Sequence, residues 1–308
     1  MSRFSQYFSR GGKDDDPTDG LLPPGTRPVL VHALDGFLGA GSAPRLAAQH
    51  LAEDDAPVVA SFDVDDFYDY RARRPPMVFD RDAYTSYDAP RLDVRLQHDA
   101  AGTPYLLLTG PEPDYRWEQF VGEVHDVVDA FDVSLSVGLG AVPMGVPHTR
   151  PLMITSHATR PDLVDRKNLW SGQLVVPGSA QALLERRLGE WDHDAVGYVV
   201  HVPQYLAQID YPTAAISLLE ALSHRTGLQL DLEPLRLKQA DTLADIEKQI
   251  AEQDGGAVLA GLEQQYDVFT RGAEDSLLAD DEEIPSADEL GQQFERFLAR
   301  MDRPDDRD

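Results

Sequence analysis

The sequence predicts an α/β protein: a mostly parallel sheet covered by helices on both faces, followed by a helical region. Three observations predict it. Between residues 28 and 228, short apolar runs alternate with segments of helical periodicity. Several of those runs are apolar at every position, as in strands buried on both faces. Beyond residue 232 the strand pattern stops and only amphipathic helical spacing continues.

Residues 1–27 carry Gly11-Gly12, the Asp14-Asp15-Asp16 run and Pro23-Pro24, and read as a flexible N-terminal arm, with order beginning at Pro28. Val29 to Leu34 is an apolar run that fits a buried strand. Ser42 is placed to cap a helix with Leu46, Ala47 and Leu51 inward. Residues 57–62 form a second strand. Residues 91–97 alternate, with Leu92, Val94 and Leu96 on one side, which predicts a half-exposed edge strand. Residues 104–108 are apolar again. A helix over 117–130 turns Phe120, Val121, Val124, Val127 and Val128 inward. Strands follow at 133–138 and 151–155. A helix then starts near Ser179 with Leu183, Leu184 and Leu188 on one face, followed by a strand at 195–202. A helix over 213–226 ends at Gly227, a favourable residue just past a helix C-terminus.

In the last region Thr242 is positioned to cap a helix bearing Leu243, Ile246 and Ile250. Gly255-Gly256 breaks it, and a second helix carries Leu259, Leu262, Tyr266 and Phe269. An acidic connector at 274–283 leads to Ser286 and Glu289, which have capping-box spacing ahead of a third apolar pattern. The predicted organisation is an arm at 1–27, an α/β domain at 28–232, and a C-terminal helical region with an acidic tail at 233–308.

Composition narrows the function. A net charge of −27 repels nucleic-acid phosphates and anionic lipid headgroups, so neither nucleic acid nor membrane is an expected partner. The best basic stripe, Arg71, Arg73 and Arg74, is short and sits beside Asp63, Asp65, Asp66 and Asp69. No run approaches the roughly 18 apolar residues of a spanning helix. The N-terminus lacks the pattern of a secretory signal, and the chain has no cysteine, which fits a cytoplasmic protein.

Four segments could carry chemistry. The turn from Asp35-Gly36 to Ser42 joins the first strand to the first helix. It reads either as an anion cradle or as a tight turn needing close backbone approach. Its spacing is neither a dinucleotide fingerprint nor a P-loop, and no lysine follows. The loop from Gly138 to Pro151 carries His148 and Arg150. Pro143 and Pro147 make it stiff and extended, suited to an interface or an anionic ligand. Glu112 and Arg116 follow the 104–108 strand, at the sheet edge where open α/β proteins place ligands. His201 ends the last strong strand and either lines the same edge or packs within it. The candidate ligand or interface residues are therefore Asp35, Gly36, Glu112, Arg116, His148, Arg150 and His201. None is assigned a catalytic role. No metal or cofactor is expected, because none of the nine histidines stands in a compact ligand spacing such as His-Glu-x-x-His. There is also no Gly-x-Ser-x-Gly elbow.

Taken in series, several segments resemble one family. They are Asp35-Gly36, the Asp-Tyr-Arg-Ala-Arg-Arg-Pro run at 69–75, Leu108-Thr109-Gly110-Pro111-Glu112-Pro113, the loop at 140–151, and His201-Val202-Pro203-Gln204-Tyr205-Leu206 with Tyr211-Pro212. They are similar to the actinobacterial branch of the proteasome-assembly-chaperone family, the type related to the second eukaryotic assembly chaperone. The resemblance spans about residues 28–232. It implies a three-layer α/β/α fold of the phosphorylase/hydrolase type. It also implies a homo-oligomer, most often a trimer, acting as a scaffold or assembly chaperone rather than an enzyme. The alternative is an enzyme or small-ligand binder using the crevice at the carboxyl ends of the strands. Relatives that dock on the proteasome often end in a hydrophobic residue, a tyrosine and one more residue. This chain ends Arg303-Pro304-Asp305-Asp306-Arg307-Asp308, a departure that argues against that contact.

Overall fold

The computed structural model describes residues 20–53, 55–164, 172–253 and 255–275. Nine strands and seven α-helices follow one another within them. The first strand, β1 (Val29–Asp35), lies at the centre of a seven-stranded sheet. Its neighbours are β6 (Pro104–Pro111) and β7 (Leu135–Met144), both parallel to it, and β9 (Ala195–Pro203) lies parallel beyond β7. Antiparallel strands border this core. β5 (Asp93–His98) pairs with β6 and carries β2 (Val58–Ser61) outside it, while β8 (Ile154–Ala158) closes the other edge against β9. The sheet is thus mixed but mostly parallel, in the order β2-β5-β6-β1-β7-β9-β8.

The period of two along each strand sends alternate side chains to opposite faces. Val31, Ala33, Val137, Leu139, Val196, Tyr198 and Val200 face one layer, built from α1 (Ala43–Leu51) and α5 (Pro212–Thr226). Leu30, Leu34, Leu106 and Leu108 face the other, built from α3 (Trp117–Ala130) and α4 (Ala180–Glu190). Strands buried on both faces leave few polar positions, which is why β1, β6 and β9 read as continuous apolar runs. Two helices follow, α6 (Glu233–Glu252) and α7 (Gly256–Asp275). Leu235 and Ile246 of α6 join the α1/α5 core.

Several local expectations are corrected. β5 is not an edge strand: β2 pairs outside it, and Asp93 and Gln97 on its second face are buried as well. β7 runs six residues past Gly138, through Pro143. This is tolerated because its pairing with β1 ends at Gly138, so one side of its last residues needs no ladder donor. Ser42 does not cap α1 with its side chain and instead adopts φ 50°. Thr242 starts no helix. Pro234 opens α6 at its first turn, and the Thr242 hydroxyl donates to the Lys238 carbonyl at 2.9 Å inside it. The strand expected at 151–155 lies at Ile154–Ala158.

The sequence reading also passed over a short helix, α2 (Val64–Phe67), and the hairpin of β3 (Met77–Asp80) and β4 (Ala83–Tyr87). The hairpin forms its own two-stranded sheet, and every residue in both strands is exposed. The capping-box pair Ser286 and Glu289, most of the acidic connector and the C-terminal tail lie outside the described residues, as do residues 1–19 of the arm.

Candidate functional site

All the candidate residues lie at or near the carboxyl ends of the parallel strands, but they form separate sets of bonds. The first set surrounds Glu112, which directly follows β6 and is buried. Its Oε2 accepts the Phe37 N–H at 2.9 Å and its Oε1 accepts the Ala180 N–H at 2.7 Å. Its own backbone N–H donates to the Asp35 carbonyl at 2.9 Å. One carboxylate therefore ties the end of β1 and the end of β6 to the first turn of α4, where negative charge also suits the helix dipole. This is why position 36 is glycine. A Cβ there would lie 2.2 Å from Glu112 Oε2 and 2.4 Å from its Cβ.

The glycine-rich turn is consequently a turn of close backbone approach. Phe37 N–H is held by Glu112. Gly41 N–H donates to the Ala207 carbonyl at 2.8 Å, and Ser42 N–H to the Gly39 carbonyl at 3.0 Å. Gly41 itself requires φ +62° and packs against Tyr211 and Val202. These three N–H groups, the donors an anion would need, are already engaged.

Arg116 belongs to a second set. It adopts φ 54° at the start of α3 and donates to Asp66 Oδ1 at 2.7 Å. Nearby, Arg73 pairs with Asp114 at 3.2 Å, and the Asp69 N–H donates to Asp114 Oδ2 at 2.8 Å. Hydrogen bonds from the Arg71 backbone and the Tyr115 hydroxyl hold the Asp69 carboxyl below its usual range. The basic stripe at 71–74 is thus interleaved with carboxylates.

The third set joins the β7–β8 loop to α7 and to the segment after β9. The Tyr205 hydroxyl meets His148 Nδ1 at 2.7 Å and accepts the His148 N–H at 2.9 Å. Burial lowers the His148 pKa, against the raising influence of Glu247 and Glu263. Arg150 makes a two-pronged bond to Asp267, at 2.8 and 2.9 Å, and a longer one to Glu263 at 3.3 Å. The hydrogen bond to Asp267 is the main cause of its firmly held charge. Tyr266 donates to the Pro151 carbonyl at 2.7 Å. A cavity of ≈ 490 Å³ lies beside this loop, lined by His148, Thr149, Glu247, Ile250 and residues of the α6–α7 junction. His201 stands apart. It is buried, its Nε2 lies 2.8 Å from Thr155 Oγ1, and burial pushes its pKa down to about 4.

One arrangement was missed entirely. His32 of β1, Gly138 of β7, Gly197 of β9 and His157 of β8 are direct register partners across four strands. The two histidine rings fold over the two glycines. A Cβ at Gly138 would lie 2.7 Å from His32 Cε1, and one at Gly197 would lie 2.1 Å from His157 Cε1. α4 covers the row with Gln181, next to His32, and with Glu185 Oε1, 2.8 Å from His157 Nδ1. Burial pushes the His32 pKa down to about 4, opposed by Gln181 and aided by His157. Burial also opposes charge on His157, but Glu185 outweighs it and the pKa is raised. Chain positions 32, 138, 157 and 197 carry no local motif, so only strand register brings them together.

A three-layer α/β/α protein whose strand-end polar residues are engaged in bonds within the fold is the class that fold and site define. Residues 33–252 match the PAC2 family, and the chain belongs to that family. Among solved structures, it is similar to a Mycobacterium tuberculosis protein of unknown function. That similarity is 45 % identity over 84 % of this chain and 89 % of that one, with TM-score 0.79. It is also similar to a Corynebacterium glutamicum protein of unknown function, at 36 % identity over 79 % and 91 % of the two chains, TM-score 0.75. A proteasome-assembly chaperone homologue from M. tuberculosis matches at 26 % identity over 73 % and 96 %, TM-score 0.68. No curated protein matches the chain.

Proposed function

We propose that this chain is a non-catalytic scaffold of the assembly-chaperone type, working as a cytoplasmic homo-oligomer, most simply a trimer, that holds a partner protein. Membership of the PAC2 family and the likeness to a proteasome-assembly chaperone homologue support the assembly role. The observation that carries the non-catalytic reading is how the strand-end side chains are used. Glu112 binds backbone N–H groups, Arg116 binds Asp66, and Arg150 binds Asp267. Groups committed to structural bonds are poorly placed to act on a substrate.

A surface for self-association or partner binding is supplied by the β3–β4 hairpin. Met77, Val78, Phe79, Tyr84 and Tyr87 are each at least half exposed there. Clustered apolar exposure of this kind marks contact surfaces in soluble proteins. Division into an α/β domain at 28–232 and a helical region from 233 remains part of this proposal. The test is native mass spectrometry of protein purified gently from its own cytosol. A trimer, bare or with a bound protein, is the expected result, and Phe79→Ser with Tyr84→Ser is expected to lower its mass. A strict monomer that retains no protein overturns the scaffold reading.

The cavity beside His148 favours one second reading, a small-ligand binder at the β7–β8 loop. The same spectrum reads it: a stoichiometric small molecule, lost on filling the cavity by Ala251→Phe, would establish it in place of the scaffold.

A further inference from the structure

The last turns of α3 and the turn after α4 bring His125, Asp129 and His193 together at the end of the molecule away from the candidate residues. α3 runs from the carboxyl end of β6 back to the amino end of β7, and α4 likewise returns to the amino end of β9. Both helices therefore finish at the amino ends of the strands. His125 and Asp129 are four residues apart on α3, so they share a face one turn apart. Val124, Val127 and Val128 take the buried face and leave these two half-exposed or exposed. Beyond α4, Asp192 adopts φ 62° and the His193 N–H donates to the Leu188 carbonyl at 2.9 Å. That reversal returns the His193 ring to α3. A pair between Arg187 and Glu118 holds the two helices together elsewhere, at 2.6 Å.

The three side chains bring one ligating atom each within 4.8 Å of one another. His125 Nε2 lies 3.1 Å from His193 Nε2. His193 Nε2 lies 3.1 Å from Asp129 Oδ1, and His125 Nε2 lies 3.7 Å from Asp129 Oδ2. Tetrahedral zinc with ligands at about 2.0–2.1 Å has ligand-to-ligand edges of about 3.4 Å, and these contacts, made through both oxygens of Asp129, lie within a few tenths of an ångström of that edge. Two imidazole nitrogens thus lie against each other and against the Asp129 carboxylate. A dication engages all of them at once. The setting favours positive charge twice over, because two helix C-termini end here and the chain carries −27.

We propose that His125, Asp129 and His193 form a binding site for one divalent transition metal of the zinc class. Two imidazoles and one carboxylate suit that class over magnesium or calcium, which take oxygen ligands. Three protein ligands leave a position for water, and His193, with a side chain 26 % exposed, keeps the site open to solvent. Bound metal would pin the end of α3 to the turn entering β9. This inference is independent of the assembly role. The sequence reading found no metal site because His125-x-x-x-Asp129 supplies two ligands, and the third lies 64 residues further on, next to it only after α3 packs on α4.

The test uses full-length protein stripped with a chelator that is then removed. Cobalt(II) is titrated in and followed by visible absorption. Zinc(II) uptake is measured by competition with a chromophoric chelator. The expected result is one equivalent of cobalt giving the intense bands of four- or five-coordinate metal, displaced by one equivalent of zinc. Trp191 lies against His125, ring centroids 4.3 Å apart and tilted by 45°, so its fluorescence is expected to fall over the same titration. The bands are expected to vanish in His125→Ala and in His193→Ala and to persist in the control His50→Ala. Asp129→Asn, nearly isosteric, is expected to weaken uptake by at least the roughly 10–100-fold that loss of a supporting partner costs. Wild-type protein that takes up neither metal stoichiometrically overturns the site. So does uptake unchanged by Asp129→Asn and by either single histidine variant; if those fail to fold, Asp129→Asn decides.

Discussion

Glu112 accepts the Ala180 N–H at 2.7 Å with one carboxylate oxygen while the other holds Phe37, so a residue at the end of β6 caps a helix 68 positions away. Glu112, a candidate ligand or interface residue by sequence, clamps backbone N–H groups. A loop-end carboxylate in a sequence does not say whether it faces solvent, substrate or backbone, and here the backbone takes both oxygens.

The clamp sets the first prediction. Glu112→Gln keeps the shape but turns an amide N–H₂ towards either the buried Ala180 N–H or the part-buried Phe37 N–H. Leaving a buried donor unsatisfied costs about 1–3 kcal/mol, so the unfolding free energy falls by that amount and the urea midpoint falls by that amount divided by the unchanged denaturant slope. An unaltered midpoint would mean that water replaces the lost acceptor.

The histidine–glycine row sets the second. Gly197→Ala pushes a methyl against His157 and is expected to destabilise by about 1–3 kcal/mol, the range for overpacking. His157→Ala removes the obstruction, so the double variant is expected to lose less than the two single changes together. Urea unfolding of all four proteins measures the coupling, and simple additivity would show that the ring moves aside.

Acid stability supplies the third. In the unfolded chain a histidine titrates near its ordinary value of about 6.5, whereas buried His32 and His201 stay neutral until about pH 4. Between these values the unfolded state binds more protons, so stability rises with pH. Their contribution is whole above about pH 6.5 and is lost as pH falls through the window to about 4. His157, with a raised pKa, acts in the opposite sense and loses its contribution as pH rises. His201→Gln is expected to make the stability–pH slope in this window shallower by about one proton. Denaturant midpoints at intervals from pH 4.5 to 7.5 read it, and parallel curves would contradict the buried neutral histidine.

Arg150 supplies the fourth. Its bonds to Asp267 and Glu263 are charged links between the β7–β8 loop and α7. Arg150→Ala is expected to leave global stability nearly unchanged, because the pair is partly solvated, while amide exchange across α7 quickens. Arg150→Lys is not expected to restore protection, since an ammonium cannot make the two-pronged bond. Hydrogen–deuterium exchange of the α7 peptides distinguishes these outcomes.

Much of the fold was legible in the sequence because local period and burial agree there. The helix at 117–130 is bounded as its valine spacing predicts, and Gly227 closes α5 in the left-handed conformation a helix end requires. Thr242 misled because a threonine hydroxyl serves equally as a helix start or as a donor to the carbonyl one turn back, and only the continuing backbone chooses. The β3–β4 hairpin was missed because neither strand buries a face, so no clean alternation marks it.

By itself the sequence determined the α/β class, the placement of Asp35, Glu112, His148 and His201 near strand ends, and an acidic, cysteine-free surface. Those depend on residue type and local spacing. Only the tertiary structure decided what the side chains do: Glu112 against Ala180, Arg150 against Asp267, His32 and His157 over paired glycines, and His193 against His125. Each of these pairs is distant along the chain, and the register and packing that bring it together are set by the whole sheet and its covering helices rather than by any short run of residues.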